Sequence, residues 1–208
     1  TVHNDAILMN DKLFKRVKAV YDTRNSLDLD PDQIRLTEKI YDDFVRSGAL
    51  LDAEKEARLA EINEELSARS VRFGSNVLAE NNNFVMYQTD QQVASLPTSV
   101  RDAAREKAKE LGEDGKYAFT LHKPSMLPFL TYSTEREARE ELYRAYINRC
   151  NNNDEYDNKQ IINDMIRLRT EKAHLLGYKS YAHYVTSDQM ASNPKAVYSL
   201  LEEVWEPA

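Results

Sequence analysis

Glycine and proline are scarce in this chain of 208 residues, at five and six. Few breakers, among many Glu, Arg, Lys, Ala and Leu, exclude a turn-rich sandwich or barrel and point to long helices. A single cysteine, Cys150, excludes an intramolecular disulfide framework and a cysteine-rich zinc finger. No run of about 18 apolar residues is present, so no membrane span is expected. Excess basic charge is also lacking. The formal net charge is -7, against the basic face that nucleic-acid phosphates require. The N-terminal residues show no basic stretch followed by an apolar core, so no signal peptide is visible. The compartment expected is the cytoplasm, or the periplasm if a leader has been removed.

What is present is the composition of a globular protein, 41% hydrophobic and 30% charged. Apolar residues recur at helical spacing along most of the chain. The periodicity predicts one helix over 7–24, with Leu13, Phe14, Val17, Val20 and Tyr21 on one face. Asp30 reads as an N-cap with Pro31 in the first turn, and Ser47-Gly48 as the stop of that second helix. Asp52 caps a long helix reaching about Glu80, with Leu59, Ile62, Leu66, Phe73 and Val77 as its stripe, ended by Asn81-Asn82-Asn83. Residues 84–87 form a short extended piece. Thr89 and Pro97 bracket one helical turn, and a helix follows over 98–111.

The period then changes. Residues 117–122 alternate as a strand does. Pro124 and Pro128 predict an irregular or extended course for 123–132. Thr134 and Glu137 have capping-box spacing ahead of a helix that buries Ala138, Leu142, Ala145 and Tyr146. A polar loop over 151–157 precedes a helix over 159–176. Its inward residues are expected to be Ile161, Ile162, Met165, Ile166, Leu168 and Leu175. Ser180 caps a shorter helix through Met190, and Asn193-Pro194 opens the last one. The fold class expected is mainly α, a multi-helix assembly of long antiparallel helices with one short extended or β insertion near 117–132. Two regions are expected: a helical region at 1–112, and an incomplete region at 113–208 that continues into a C-terminal half.

The four histidines, His3, His122, His174 and His183, never form His-Glu-x-x-His, the helical spacing that holds zinc beside a general base. Glu171 and His174 have the Glu-x-x-His spacing of di-iron bundles, but such sites need a second copy and further glutamates. The plain reading of His174 is a residue near the end of a packed helix. His183 lies among tyrosines in a structural setting, His122 at a half-exposed loop position, and Cys150 at a helix end as an unreactive thiol. No glycine-rich phosphate loop or nucleophile elbow occurs. No catalytic, cofactor-binding or metal residue is assigned.

Two blocks carry a resemblance. The first runs from Tyr117 through Leu121-His122-Lys123-Pro124-Ser125 and Pro128-Phe129 to Leu142-Tyr143-Arg144-Ala145-Tyr146 and Arg149. The second holds Asn158, Ile161-Ile162, Leu168-Arg169, Ala173, Leu175-Leu176-Gly177-Tyr178 and Tyr181 to Val185. In order and spacing both resemble the thimet oligopeptidase family of zinc peptidases, and among its branches the bacterial dipeptidyl carboxypeptidases. The likeness is best from about Leu59 to Val204. It implies a nearly all-helical protein with a deep channel and a zinc site in the C-terminal half. The zinc belongs to the complete parent enzyme, and no cofactor is expected in this chain. The implied role here is a non-catalytic part of the channel wall, inactive alone. Its partners would be the C-terminal catalytic half and short peptides, with no nucleic acid and no membrane. A stand-alone helical interaction module without peptidase activity is the alternative. An apolar patch is expected to lie exposed.

Overall fold

A computed structural model describes residues 2–208. The fold is mainly α. Among the described residues there are ten α-helices and one two-stranded antiparallel sheet. The chain divides into two compact units.

The first unit comprises the residues up to Arg69 together with Asn163–Ala208. It opens with α1 (Val2–Leu8) and α2 (Asp11–Thr23). These replace the single helix expected over 7–24. The Asn10 side chain accepts from the Leu13 amide at 3.0 Å and starts a new helix there, so a local cap overrides a continuous apolar stripe. Asp30 and Gln33 form a reciprocal capping box at the start of α3 (Pro31–Arg46). Helices α2 and α3 pack through aromatic rings: Phe14 lies 5.9 Å from Phe44, and Tyr21 stacks on Tyr41 at 3.8 Å. Gly48 ends α3 with φ of +102°, and a Cβ there would stand 2.5 Å from Leu59 Cδ2. Both the dihedral and the space therefore require glycine.

Helix α4 (Ala53–Asn83) begins at Asp52, whose carboxylate accepts from the Lys55 amide at 2.9 Å. It ends at Asn83, within the asparagine cluster expected to stop it and three residues past Glu80. Leu59 and Ile62 are its buried residues in this unit. Helix α8 (Lys159–Leu175) buries Leu168 and Ala173, whereas Ile162 and Ile166 are exposed, against the inward stripe expected of them. Ser180 caps α9 (Tyr181–Thr186). That helix stops at Thr186, short of Met190. Asn193 caps α10 (Pro194–Trp205), which exposes Tyr198, Leu200, Leu201, Val204 and Trp205.

The second unit is Ser70–Ile162. Strand β1 (Val85–Gln88) pairs with β2 (Tyr117–Thr120), with Val85 opposite Thr120 and Gln88 opposite Tyr117. Helix α5 (Thr98–Glu110) lies between them in sequence and packs on β2. Residues 123–132 are helical, as α6 (Lys123–Tyr132), where an irregular course was expected. Pro124 sits in the first turn, where a missing N–H costs nothing. Pro128 forfeits one helical bond, and burial of Met126 and Phe129 on the same helix offsets that loss. Helix α7 (Arg136–Ile147) starts without the Thr134–Glu137 box. Instead the Ser133 hydroxyl accepts from the Glu135 amide at 3.2 Å, and the Thr134 amide donates to Ser95 Oγ at 3.1 Å. The core of this unit joins Met86, Phe119, Leu121, Phe129 and Leu142, with the Phe119 and Phe129 rings 4.4 Å apart.

Candidate functional site

The residues singled out in the sequence do not converge. His3 and His122 are exposed, on α1 and at the N-cap of α6. The His122 ring Nδ1 lies 3.3 Å from the Thr120 hydroxyl. His183 Nδ1 is 2.8 Å from Ser180 Oγ, within the cap of α9. Cys150 is buried, in the left-handed region with φ of 57°. Burial, reinforced by the Glu80 carboxylate, pushes its thiol up to about 11, so little nucleophilic thiolate is present at neutral pH.

The Glu171–His174 pair lies in the first unit, and its carboxylate is already committed. Arg58 clasps Glu171 by both oxygens, Nε to Oε1 at 2.6 Å and Nη2 to Oε2 at 3.0 Å. This hydrogen-bonded pair holds the carboxyl below its usual range. Its oxygens face a guanidinium, a poor setting for a metal cation, while His174 is exposed on the same helix. Among the described residues, no group of three or more His, Cys, Asp or Glu is placed to hold a metal ion. The Glu171–His174 pair therefore does not fit zinc.

The second unit does contain a pocket. A cavity of about 520 Å³ opens beside the sheet, lined among others by Asn81, Val85, Ala103, Lys107, Leu111 and His122. Its walls come from the end of α4, from β1, α5 and β2, and from the start of α6. Nothing in the sequence announced it, because its lining is scattered over more than forty residues. The nearest signal was the change of period at Tyr117.

The strand pair beside the cavity is unevenly covered. All four residues of β2 are buried, whereas on β1 only Met86 and Gln88 are. The reason is packing: α5 and α6 both lie against β2, while the extensive contacts of β1 are with β2 alone. The Tyr117 hydroxyl donates to Asp90 at 2.6 Å and accepts from Arg105, tying the hairpin's end to α5. The Thr120 amide donates to Ser125 Oγ at 3.0 Å, tying β2 to the first turn of α6.

Comparison with known proteins defines the class. The sequence model of Peptidase family M3 matches residues 129–208. The chain belongs to the thimet oligopeptidase family, the M3 metallopeptidases. It is 35% identical over 199 residues to the dipeptidyl carboxypeptidase of Escherichia coli, covering 95% of this chain and 29% of that protein. Against oligopeptidase A of Haemophilus influenzae it is 34% identical over 201 residues, covering 94% and 29%. Against the organellar oligopeptidase A of Arabidopsis thaliana the identity is 35% over 207 residues, covering 94% and 26%. The chain thus spans less than a third of the length of the curated relatives it matches.

Proposed function

We propose that this chain is a non-catalytic part of a zinc-dependent peptidase acting on short peptides, and that it contributes to the wall of the substrate channel. In the parent protein, zinc and the catalytic residues belong to a C-terminal half, the chain's main partner. The observation that carries this reading is the 35% identity to a dipeptidyl carboxypeptidase across 95% of the chain. The donor chemistry agrees, since the one Glu-x-x-His pair is consumed by Arg58.

The test compares two purified proteins, this 208-residue chain and the product of the complete reading frame that contains it. The longer protein should cleave short blocked peptides and lose that activity to a zinc chelator. The shorter one should bind no stoichiometric zinc and cleave nothing. Chelator-sensitive cleavage by this chain alone, or none by the longer protein, would overturn the proposal. The exposed apolar residues of α10 favour a second reading, a helical interaction module without peptidase activity. A complete reading frame without a zinc motif would decide for it.

A further inference from the structure

We infer that the face of α7 bearing Arg136, Arg139 and Tyr143 docks an acidic side chain from the part of the parent protein outside this chain. The identity of that partner rests on the peptidase reading; the surface itself belongs to the second unit alone.

Three arginines among the described residues have an Nε shielded from solvent and without a hydrogen-bond partner: Arg69, Arg101 and Arg139. Arg69 still meets Asp164 at 3.1 Å, and Arg101 the Thr98 hydroxyl at 3.4 Å. Arg139 is half-buried and has no hydrogen bond or ion pair to any described residue. A buried charged donor left unmet is costly, and the chain holds 35 Asp and Glu against 28 Lys and Arg. Local geometry explains why none of these acids reaches it. Glu135, four residues earlier, is the extended N-cap of α7, at φ of -72° and ψ of 93°, so it lies outside the helical row of Arg139. Glu140 is bonded to Arg144 at 2.7 Å, in the acid-before-base order that a helix favours. That bond holds its carboxyl below the usual range and keeps it committed. Arg136 therefore has no ion-pair partner among the described residues either, and it stands in the first turn of α7, where the helix dipole disfavours a cation. Two unpaired guanidiniums three residues apart thus share one face of the helix.

The surroundings name the occupant. A cavity of about 550 Å³ opens on this face, lined among others by Leu130 of α6 and by Arg136, Arg139, Tyr143 and Ile147 of α7. Tyr143 and Ile147 are 53% and 52% exposed. Arginine and tyrosine beside exposed aliphatic groups make up the centre of a protein interface, where a guanidinium meets a carboxylate by two parallel bonds. A small free anion would use the arginines and leave the apolar groups wet. The chain spans 29% of the length of its Escherichia coli relative, so the larger part of the parent lies outside it, kept at high effective concentration by the covalent link. An acid of that part meets the buried Nε in every molecule, which a transient ligand does only while bound.

The test uses this 208-residue chain and the product of the complete reading frame. Phenylglyoxal, which labels free guanidiniums, is followed by mass spectrometry at Arg136 and Arg139. Labelling should be at least about tenfold slower in the complete protein, because a bidentate carboxylate must first be displaced. Arg139→Gln should leave the urea midpoint of this chain unchanged or raise it, and should lower that of the complete protein, where it strands the docked carboxylate. The labelling compares unmutated proteins, so it stands even where the variant fails to fold. Equal labelling in the two proteins would overturn the inference. If N-acetyl-leucine then slows it, the face is a site for a free carboxylate; if not, it is bare surface. An equal change of midpoint in both proteins would overturn it as well. Slow labelling in a complete protein that cleaves no peptide would sink the peptidase reading alone, and equal labelling in an active complete protein would sink this inference alone.

Discussion

The buried Asn76–Asn158 pair offers the sharpest quantitative test of how the second unit is held. Both side chains are only 2% exposed. Asn76 Nδ2 donates to Asn158 Oδ1 at 2.9 Å, and Asn158 Nδ2 donates to the Phe73 carbonyl at 3.2 Å. The Asn158 amide also reaches the Cys150 carbonyl at 2.8 Å, closing the 150–158 loop. Asn158→Ala removes two side-chain hydrogen bonds worth about 1 kcal/mol each. It also strands the Asn76 amide in a buried site at about 1–3 kcal/mol, so the expected loss is about 3–5 kcal/mol. Asn76→Ala removes one bond and strands Asn158 Oδ1, for about 2–4 kcal/mol. The double variant strands neither, so it should fall short of the sum by about 3 kcal/mol or more. Urea unfolding followed by circular dichroism reads these values as midpoint shifts, at a slope of about 1–3 kcal/mol per molar urea. Single losses below about 0.5 kcal/mol, or additivity within about 0.3 kcal/mol, would refute the idea that this pair holds the loop to α4.

Three further outcomes are expected. Because Arg58 depresses the Glu171 carboxyl, the pair's stabilisation is complete above the ordinary value of 4.5 and fades as pH falls through the lower folded value. The gap in urea midpoint between the native chain and Glu171→Gln should therefore close in acid, and a gap constant from neutral pH into acid would count against this. Cys150 should react with a maleimide at least about tenfold more slowly in the native chain than in the urea-unfolded chain near neutral pH, and equal rates would show that the thiol is accessible. Phe129→Ala, at a fully buried site packed on Phe119, should cost about 3–5 kcal/mol in thermal or urea unfolding; a loss under about 1 kcal/mol would mean the site collapses to fill the void.

Much of the fold is legible where the signal is local. Asp30 with Pro31, Asp52, Ser180 and Asn193 all cap helices where the sequence places them, since a cap is a contact between a side chain and an amide three residues away. The errors arise where local signals compete. Asn10 breaks an apolar stripe that reads as continuous, and the stripe hides the cap. Pro124 and Pro128 read as breakers, but one falls in a first turn and the other is carried by the burial of Met126 and Phe129. The candidate site was the least legible feature. Glu171 looks like a ligand by spacing, and only the arrival of Arg58, more than a hundred residues away in sequence, shows that its charge is spent.

By itself the sequence determined the helical class, most of the caps and, through two ordered blocks, the family. These depend on spacing along the chain and survive without knowledge of what packs on what. The tertiary structure alone decided which faces are buried. It left Ile162, Ile166 and the apolar residues of α10 exposed, buried β2 on both faces, and opened a cavity between β2, α5 and the start of α6. Burial is a property of neighbours brought together from distant segments, and periodicity marks a face as apolar without naming what covers it.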